Sequence, residues 1–214
     1  MADLCCDHAH LAAQLCAQGR VPWAIAGDLN PGPLEAAAVV LARLGVEDRV
    51  ELRRGSGLEV LSGAPEPATI CIAGVGALLA ATLLETGADL GLLDSERGVT
   101  RLVIQANDGF PRLGTLRARL DALGWGLVHE QLVLDRARVY TILVAERGGL
   151  GLRDPLDAAL GPILRRGLDP LFPHWRALEL ARIERALAGM DAAAIRPAER
   201  ANYSQWQTDL EALG

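Results

Sequence analysis

The chain has 214 residues, half of them hydrophobic, which is enough for one well-packed α/β domain and a small appendage. Its formal net charge is −6 and all 21 basic residues are arginine, so an overall basic nucleic-acid footprint is excluded, although a local arginine face is not. No apolar run approaches the roughly 20 residues of a membrane span, no signal-peptide profile opens the chain, and Cys5, Cys6, Cys16 and Cys71 form no C-x-x-C pair; the expected setting is the cytoplasm, with no disulfide framework and no metal.

Short apolar, β-branched runs at residues 2–6, 23–27, 50–52, 69–73 and 102–105 read as strands. Leucine and alanine at helical spacing fill 11–18, 33–44, 77–85 and 113–123, so each strand is expected to lead into a crossover helix of a parallel sheet covered on both faces. Residues 126–134 and 138–147 are two further strand-like runs. The short turn Asp135-Arg136-Ala137 between them permits only an antiparallel hairpin. After Gly148-Gly149 the pattern turns helical, over 155–168, 173–189 and 197–213. Leu178, Ala181, Ile183 and Leu187 stripe the middle helix, and Arg182 and Arg185 lie off the stripe's centre. Two domains are expected, 1–149 and a helical 150–214, the latter with 8 arginines against 9 acids from residue 151 on and so not basic overall.

Candidate chemistry collects at the predicted strand ends. The first strand runs into Asp3-Leu4-Cys5-Cys6-Asp7-His8-Ala9, and the second ends at Asp28-Leu29, an acid spaced to accept hydrogen bonds from both ribose hydroxyls of an adenosine cofactor. Asp28 is also placed to cap the following helix. Cys5 and Cys6 stand where glycines would let backbone approach a ligand, and all four cysteines read also as small buried hydrophobes. After the third strand Ser56-Gly57 offers a hydroxyl or an ordinary turn. Ala73 and Gly74 close the fourth strand at the edge where open α/β sheets bind ligands, and Gln105-Ala106-Asn107-Asp108 ends the fifth with amides able to meet the edge of a base. Asp7 is a carboxylate suited to a cationic product, and His8 reads either as part of that rim or as a structural residue.

These motifs, in order and spacing, resemble the bacterial tRNA (adenine-N1)-methyltransferases that act on adenine 22: Asp3 to Leu11, Ala24-Ile25-Ala26-Gly27-Asp28, Gly55-Ser56-Gly57-Leu58, Ile72-Ala73-Gly74-Val75-Gly76-Ala77, Gln105-Ala106-Asn107, and Leu160-Gly161-Pro162-Ile163-Leu164 in the tail. The resemblance implies a Rossmann-like class I methyltransferase sheet, five parallel strands then an antiparallel hairpin, with a coiled-coil-like helical appendage. It implies S-adenosyl-L-methionine as cofactor, held by Asp3, Cys5, Cys6, His8, Asp28, Leu29, Ser56, Gly57, Ala73 and Gly74. Asp7, Gln105 and Asn107 are then the catalytic residues around the base, and tRNA is held by the tail and the rim of the sheet. Departures fall in the presumed pocket: Cys5-Cys6 for Gly-Ser or Gly-Thr, Ser56 for an acid, Val75 and Ala77 for Met and Gly, and Ala106 for Pro. Members also carry a helical segment ahead of the first strand that helps to cover the cofactor, so for this divergent member the expectation is either a truncated or misassigned start or the loss of part of that lid. A small-molecule methyltransferase and a non-catalytic RNA-binding or scaffolding relative are the alternatives. A nicotinamide-dependent oxidoreductase ranks last, because G-x-G-x-x-G is missing and the terminal hairpin breaks an all-parallel sheet.

Overall fold

The computed structural model describes residues 1–193 and 197–213. Five parallel strands, β1 (Ala2–Leu4), β2 (Ala24–Asp28), β3 (Val50–Arg54), β4 (Thr69–Val75) and β5 (Arg101–Ala106), are followed by an antiparallel hairpin of β6 (Trp125–Asp135) and β7 (Arg138–Arg147). They form one seven-stranded sheet in the order β3-β2-β1-β4-β5-β7-β6, in which β7 pairs antiparallel with β5. The expected sheet is therefore present. Its parallel register, Asp3 opposite both Ala26 and Cys71, brings the carboxyl ends of β1, β2 and β4 to one edge.

Alternation along the strands sorts side chains to two faces. Leu4, Ile25, Ile70, Ile72, Leu102 and Ile104 point into a core closed by α3 (Ala77–Asp89) and α4 (Arg112–Ala122). Ala24, Ala26 and Val50 meet α1 (His10–Ala17) and α2 (Pro31–Leu44) on the other face. There the small alanines of α1 let it sit close to the sheet, while Met1, Leu11, Leu15, Thr69, Cys71 and Val103 line an open, almost wholly apolar groove.

Three expectations are corrected. The first strand stops at Leu4, because Cys5 takes a left-handed φ of 56° that turns the chain out of the sheet. Between β3 and β4 there is no crossover helix, only a 3-10 turn (Gly57–Leu61): Gly63, Pro65 and Pro67 leave no run long enough for one. Residues 155–168 are not one helix. Instead α5 (Pro155–Leu160) ends at Gly161, whose φ is +94° and which is followed by Pro162, and a short 3-10 turn, Leu164–Arg166, comes next.

The tail's α6 (Phe172–Ala193) and α7 (Pro197–Glu211) pack on each other. Arg176 ties them by donating to the carbonyls of Leu210 and Glu211 at the C-terminal end of α7. Their core is shared with the sheet domain: Phe110 and Leu132 are buried with Trp175, Ile183 and Leu210, and the Phe110 and Trp206 rings meet edge to face at 4.9 Å. Among the described residues no helix is long and apolar enough to cross a membrane.

Candidate functional site

The loop leaving β1 is built on strained backbone. Cys5, Asp7 and Ala9 all have φ between 50° and 56°, a region that costs non-glycine residues about 1 kcal/mol or more each. The two cysteines pack partly inward, Cys5 against the α3/α4 core and Cys6 against the α1/α2 core. Both are half-buried, and the Cys6 thiol also lies 3.8 Å from the Asp7 carbonyl. Asp28, at the end of β2, pins this loop: one carboxylate oxygen accepts from the Asp7 N–H (3.3 Å) and the other from the Asn30 N–H (2.9 Å). Each oxygen keeps a lone pair for a further donor. Asp28 thus caps the loop and remains able to bind hydroxyls. Leu29 beside it is 59% exposed.

Beneath the loop lies Asp3, 4% exposed, its carboxylate accepting from the Ala12 N–H of α1. Burial pushes its pKa up to about 6. Burial, with the nearby Asp3 and Asp28 carboxylates, pushes the Cys6 thiol up to about 12, and burial with Asp3 does the same to Cys71. His8 and Asp7 are both exposed on the rim, 3.5 Å apart. Ser56 stands before the 3-10 turn, where its N–H donates to Glu59, and Gly57 lies against Leu83, so both serve the turn itself.

A second cluster joins the ends of β4 and β5. The Gly74 N–H donates to Gln105 Oε1 (2.9 Å), Gln105 Nε2 donates to Asn107 Oδ1 (3.2 Å), and Asn107 Nδ2 returns to the Gly74 carbonyl (2.6 Å). The ring fixes both amides. Gly74 has φ +77°, and no atom stands within 4 Å of where its Cβ would be, so this backbone faces open space. Ala73 precedes it on β4, and Asp108 closes the cluster by accepting from the Ala77 N–H at the start of α3.

The expected residues fall in a β1/β2 group and a β4/β5 group, with Ser56 and Gly57 apart from both at the turn that follows β3. Sequence reading missed what adjoins them. A cleft of about 290 Å³ runs from Asn107 and Gly109, past Arg138 and Tyr140 on the hairpin, to Glu179, Arg182 and Arg185 on α6. The i, i+3 spacing of Glu179 and Arg182 was the available signal, but it does not reveal that α6 faces Asn107. Among the described residues no cluster of His, Cys, Asp and Glu suits a metal ion.

Residues 1–213 match the family described as tRNA (adenine(22)-N(1))-methyltransferase. A protein of that description from Bacillus subtilis (strain 168) is 30% identical over 177 residues, which span 80% of this chain and 71% of that one. A Streptococcus pneumoniae protein assigned as a tRNA (m1A22) methyltransferase, solved in complex with S-adenosyl-L-methionine, superimposes with a TM-score of 0.84 at 29% identity, covering 99% of this chain and 90% of that one. A Streptococcus agalactiae protein of the NADB-Rossmann superfamily gives a TM-score of 0.86 at 28% identity, over 99% and 88% of the two chains.

Proposed function

Because the chain belongs to the tRNA (adenine(22)-N(1))-methyltransferase family, we propose that it methylates N1 of adenine 22 in tRNA from S-adenosyl-L-methionine, using the strand-end edge as its active site. One observation carries the placement: Gly74, Gln105 and Asn107 are locked together around a backbone that faces open space, on the same edge as the Asp28-pinned loop. When bound, the cofactor supplies an electrophilic methyl group on a sulfonium. Asp28 holds the ribose hydroxyls, with Leu29 and the Ser56-Gly57 turn beside the adenosine. Asp3 holds the loop from below, and the backbone of Cys5, Cys6 and His8 forms its mouth. Ala73 and Gly74, lacking bulk, let donor and acceptor approach.

Adenine N1 is an unprotonated nucleophile, so no strong base is needed. What the reaction requires is alignment as the N1–carbon bond forms and the carbon–sulfur bond breaks, and stabilisation of the positive charge that arrives on the adenine. Gln105 and Asn107 supply the alignment through their fixed amides. Asp7 supplies a carboxylate at the rim. Residues 1–149 form the cofactor-binding domain, 150–214 form the tail that with the rim holds tRNA, and the setting is the cytoplasm, where tRNA is modified.

The test is calorimetric titration of S-adenosyl-L-methionine into wild type, Asp28→Ala and Asp28→Asn, followed by transfer of a labelled methyl group to unmodified tRNA. Loss of charge-assisted hydrogen bonds predicts affinity weaker by about tenfold or more in both variants. A folded wild type that neither binds the cofactor nor labels tRNA would refute the assignment.

A further inference from the structure

The cleft beside Asn107 is cationic in a protein that is not. Arg138, Arg182 and Arg185 line it, and Arg112 stands at its other end, where a second depression shares Asn107, Gly109 and Arg182. Glu179 is the acid among them. It is 4% exposed, and Arg182 spans both its oxygens at 3.0 and 3.1 Å. Arg182 also rests on Gly109, where a Cβ would meet both its guanidinium and the Glu179 carboxylate. Arg112 is held by Asp108 at 3.1 Å. Two arginines remain uncommitted: Arg138 has no ion pair or side-chain hydrogen bond among the described residues, and Arg185 donates only to the carbonyl of Ala181, one turn back.

Two exposed guanidiniums without acids flank a half-buried tyrosine, in a space sized for one nucleotide and continuous with the residue that orients the base. This combination of charge for phosphate and an aromatic face for a base is how single-stranded or splayed RNA is held. Building on the function proposed above, we infer that this cleft binds the nucleotide adjoining the target adenosine, with its phosphodiester on Arg138 and Arg185 and its base against Tyr140. Glu179 then positions Arg182 as the cleft's wall and touches no phosphate. The site joins the hairpin to α6, so neither the sheet domain nor the tail completes it alone.

The experiment measures tRNA binding against salt concentration for wild type, Arg138→Gln/Arg185→Gln and Arg43→Gln, an exposed arginine of α2 remote from the cleft. All three are also assayed for cofactor affinity and for methyl transfer. Each phosphate that the protein no longer neutralises flattens the slope of log affinity against log salt by about 0.7 to 0.9, so the double variant, which loses the one phosphodiester held by both arginines, is expected to show a slope shallower by about 0.8. Its KM for tRNA rises while its cofactor affinity and its kcat at saturating tRNA stay within twofold of wild type, and Arg43→Gln matches wild type. An unchanged slope in the double variant, or an equal flattening by Arg43→Gln, overturns the cleft while leaving the methyltransferase reading intact provided that wild type labels tRNA. If wild type does not label tRNA, both fall.

Discussion

At the scale of single residues, Asp3 is the side chain whose chemistry is most altered by the fold. Its folded pKa of about 6 exceeds the ordinary 3.8, so the folded chain binds that proton more tightly than the unfolded chain. A group of this kind contributes fully below pH 3.8, and its contribution is lost as pH rises through 6. The difference corresponds to about 3 kcal/mol. Asparagine can still accept from Ala12 but does not ionise. Urea denaturation of wild type and Asp3→Asn at pH 4 and pH 8 should therefore show the stability difference swinging by about 2 kcal/mol in the variant's favour at the higher pH, part of the full difference being already lost at pH 4. A difference that stays constant across that range would mean that Asp3 is solvated in the folded protein. The same buried carboxylate helps to keep the neighbouring thiols protonated, so no thiolate competes with adenine for the methyl group. The sequence made Asp28 legible through its spacing from the first strand, and Asp3 and Asp7 only through the motif that holds them. That the cysteines tuck into opposite cores was not legible, because the left-handed turn at Cys5 is set by the surrounding packing and not by its own preference.

Between elements, the attachment of the tail rests on a buried ion pair. Arg117 of α4 and Glu130 of β6, 1% and 4% exposed, meet at 2.8 Å. Arg117 also donates to the carbonyls of Ala158 and Ala159, and Glu130 accepts from the N–H groups of Ile163 and Leu164. Gly161 lies directly over the Glu130 carboxylate, where a Cβ would displace it. Removing one partner strands the other charge, so Arg117→Met should cost about 3–5 kcal/mol in urea denaturation, and Arg117→Met/Glu130→Met should cost less than the single change. A single variant within about 1 kcal/mol of wild type would show that water reaches Glu130. Helical spacing made 11–18, 33–44, 77–85 and 113–123 readable to within a few residues. The same periodicity carried the 155–168 reading through Gly161-Pro162, although that dipeptide is itself a breaker signal. The carboxylate that Gly161 must accommodate is 31 residues away in sequence, beyond the reach of any local pattern.

For the whole molecule, composition averages away what matters. The 8 arginines and 9 acids beyond residue 150 cancel in a count, yet α6 turns Arg182 and Arg185 toward Asn107 and the uncommitted Arg138. Motif order along the chain was enough to make the sheet and its edge legible; the cleft was not, since it exists only where the tail docks. Docking buries Phe110 and Leu132 of the sheet domain in the same core as Trp175 and Leu210 of the tail. Two parts that share a core should lose it together. Trp125 is buried in the sheet's core, while Trp175 and Trp206 lie in the tail's, so single-tryptophan variants can follow each part separately during urea unfolding. Coincident midpoints are expected by both probes and by far-ultraviolet circular dichroism. Residues 1–149 expressed alone should unfold at lower urea and bind an apolar dye, because Phe110, Leu132 and Val139 lose their cover. A tail transition at distinctly lower urea, with the sheet domain unaffected, would instead make the tail an independent unit. The substrate cleft between them would then be a surface assembled on binding.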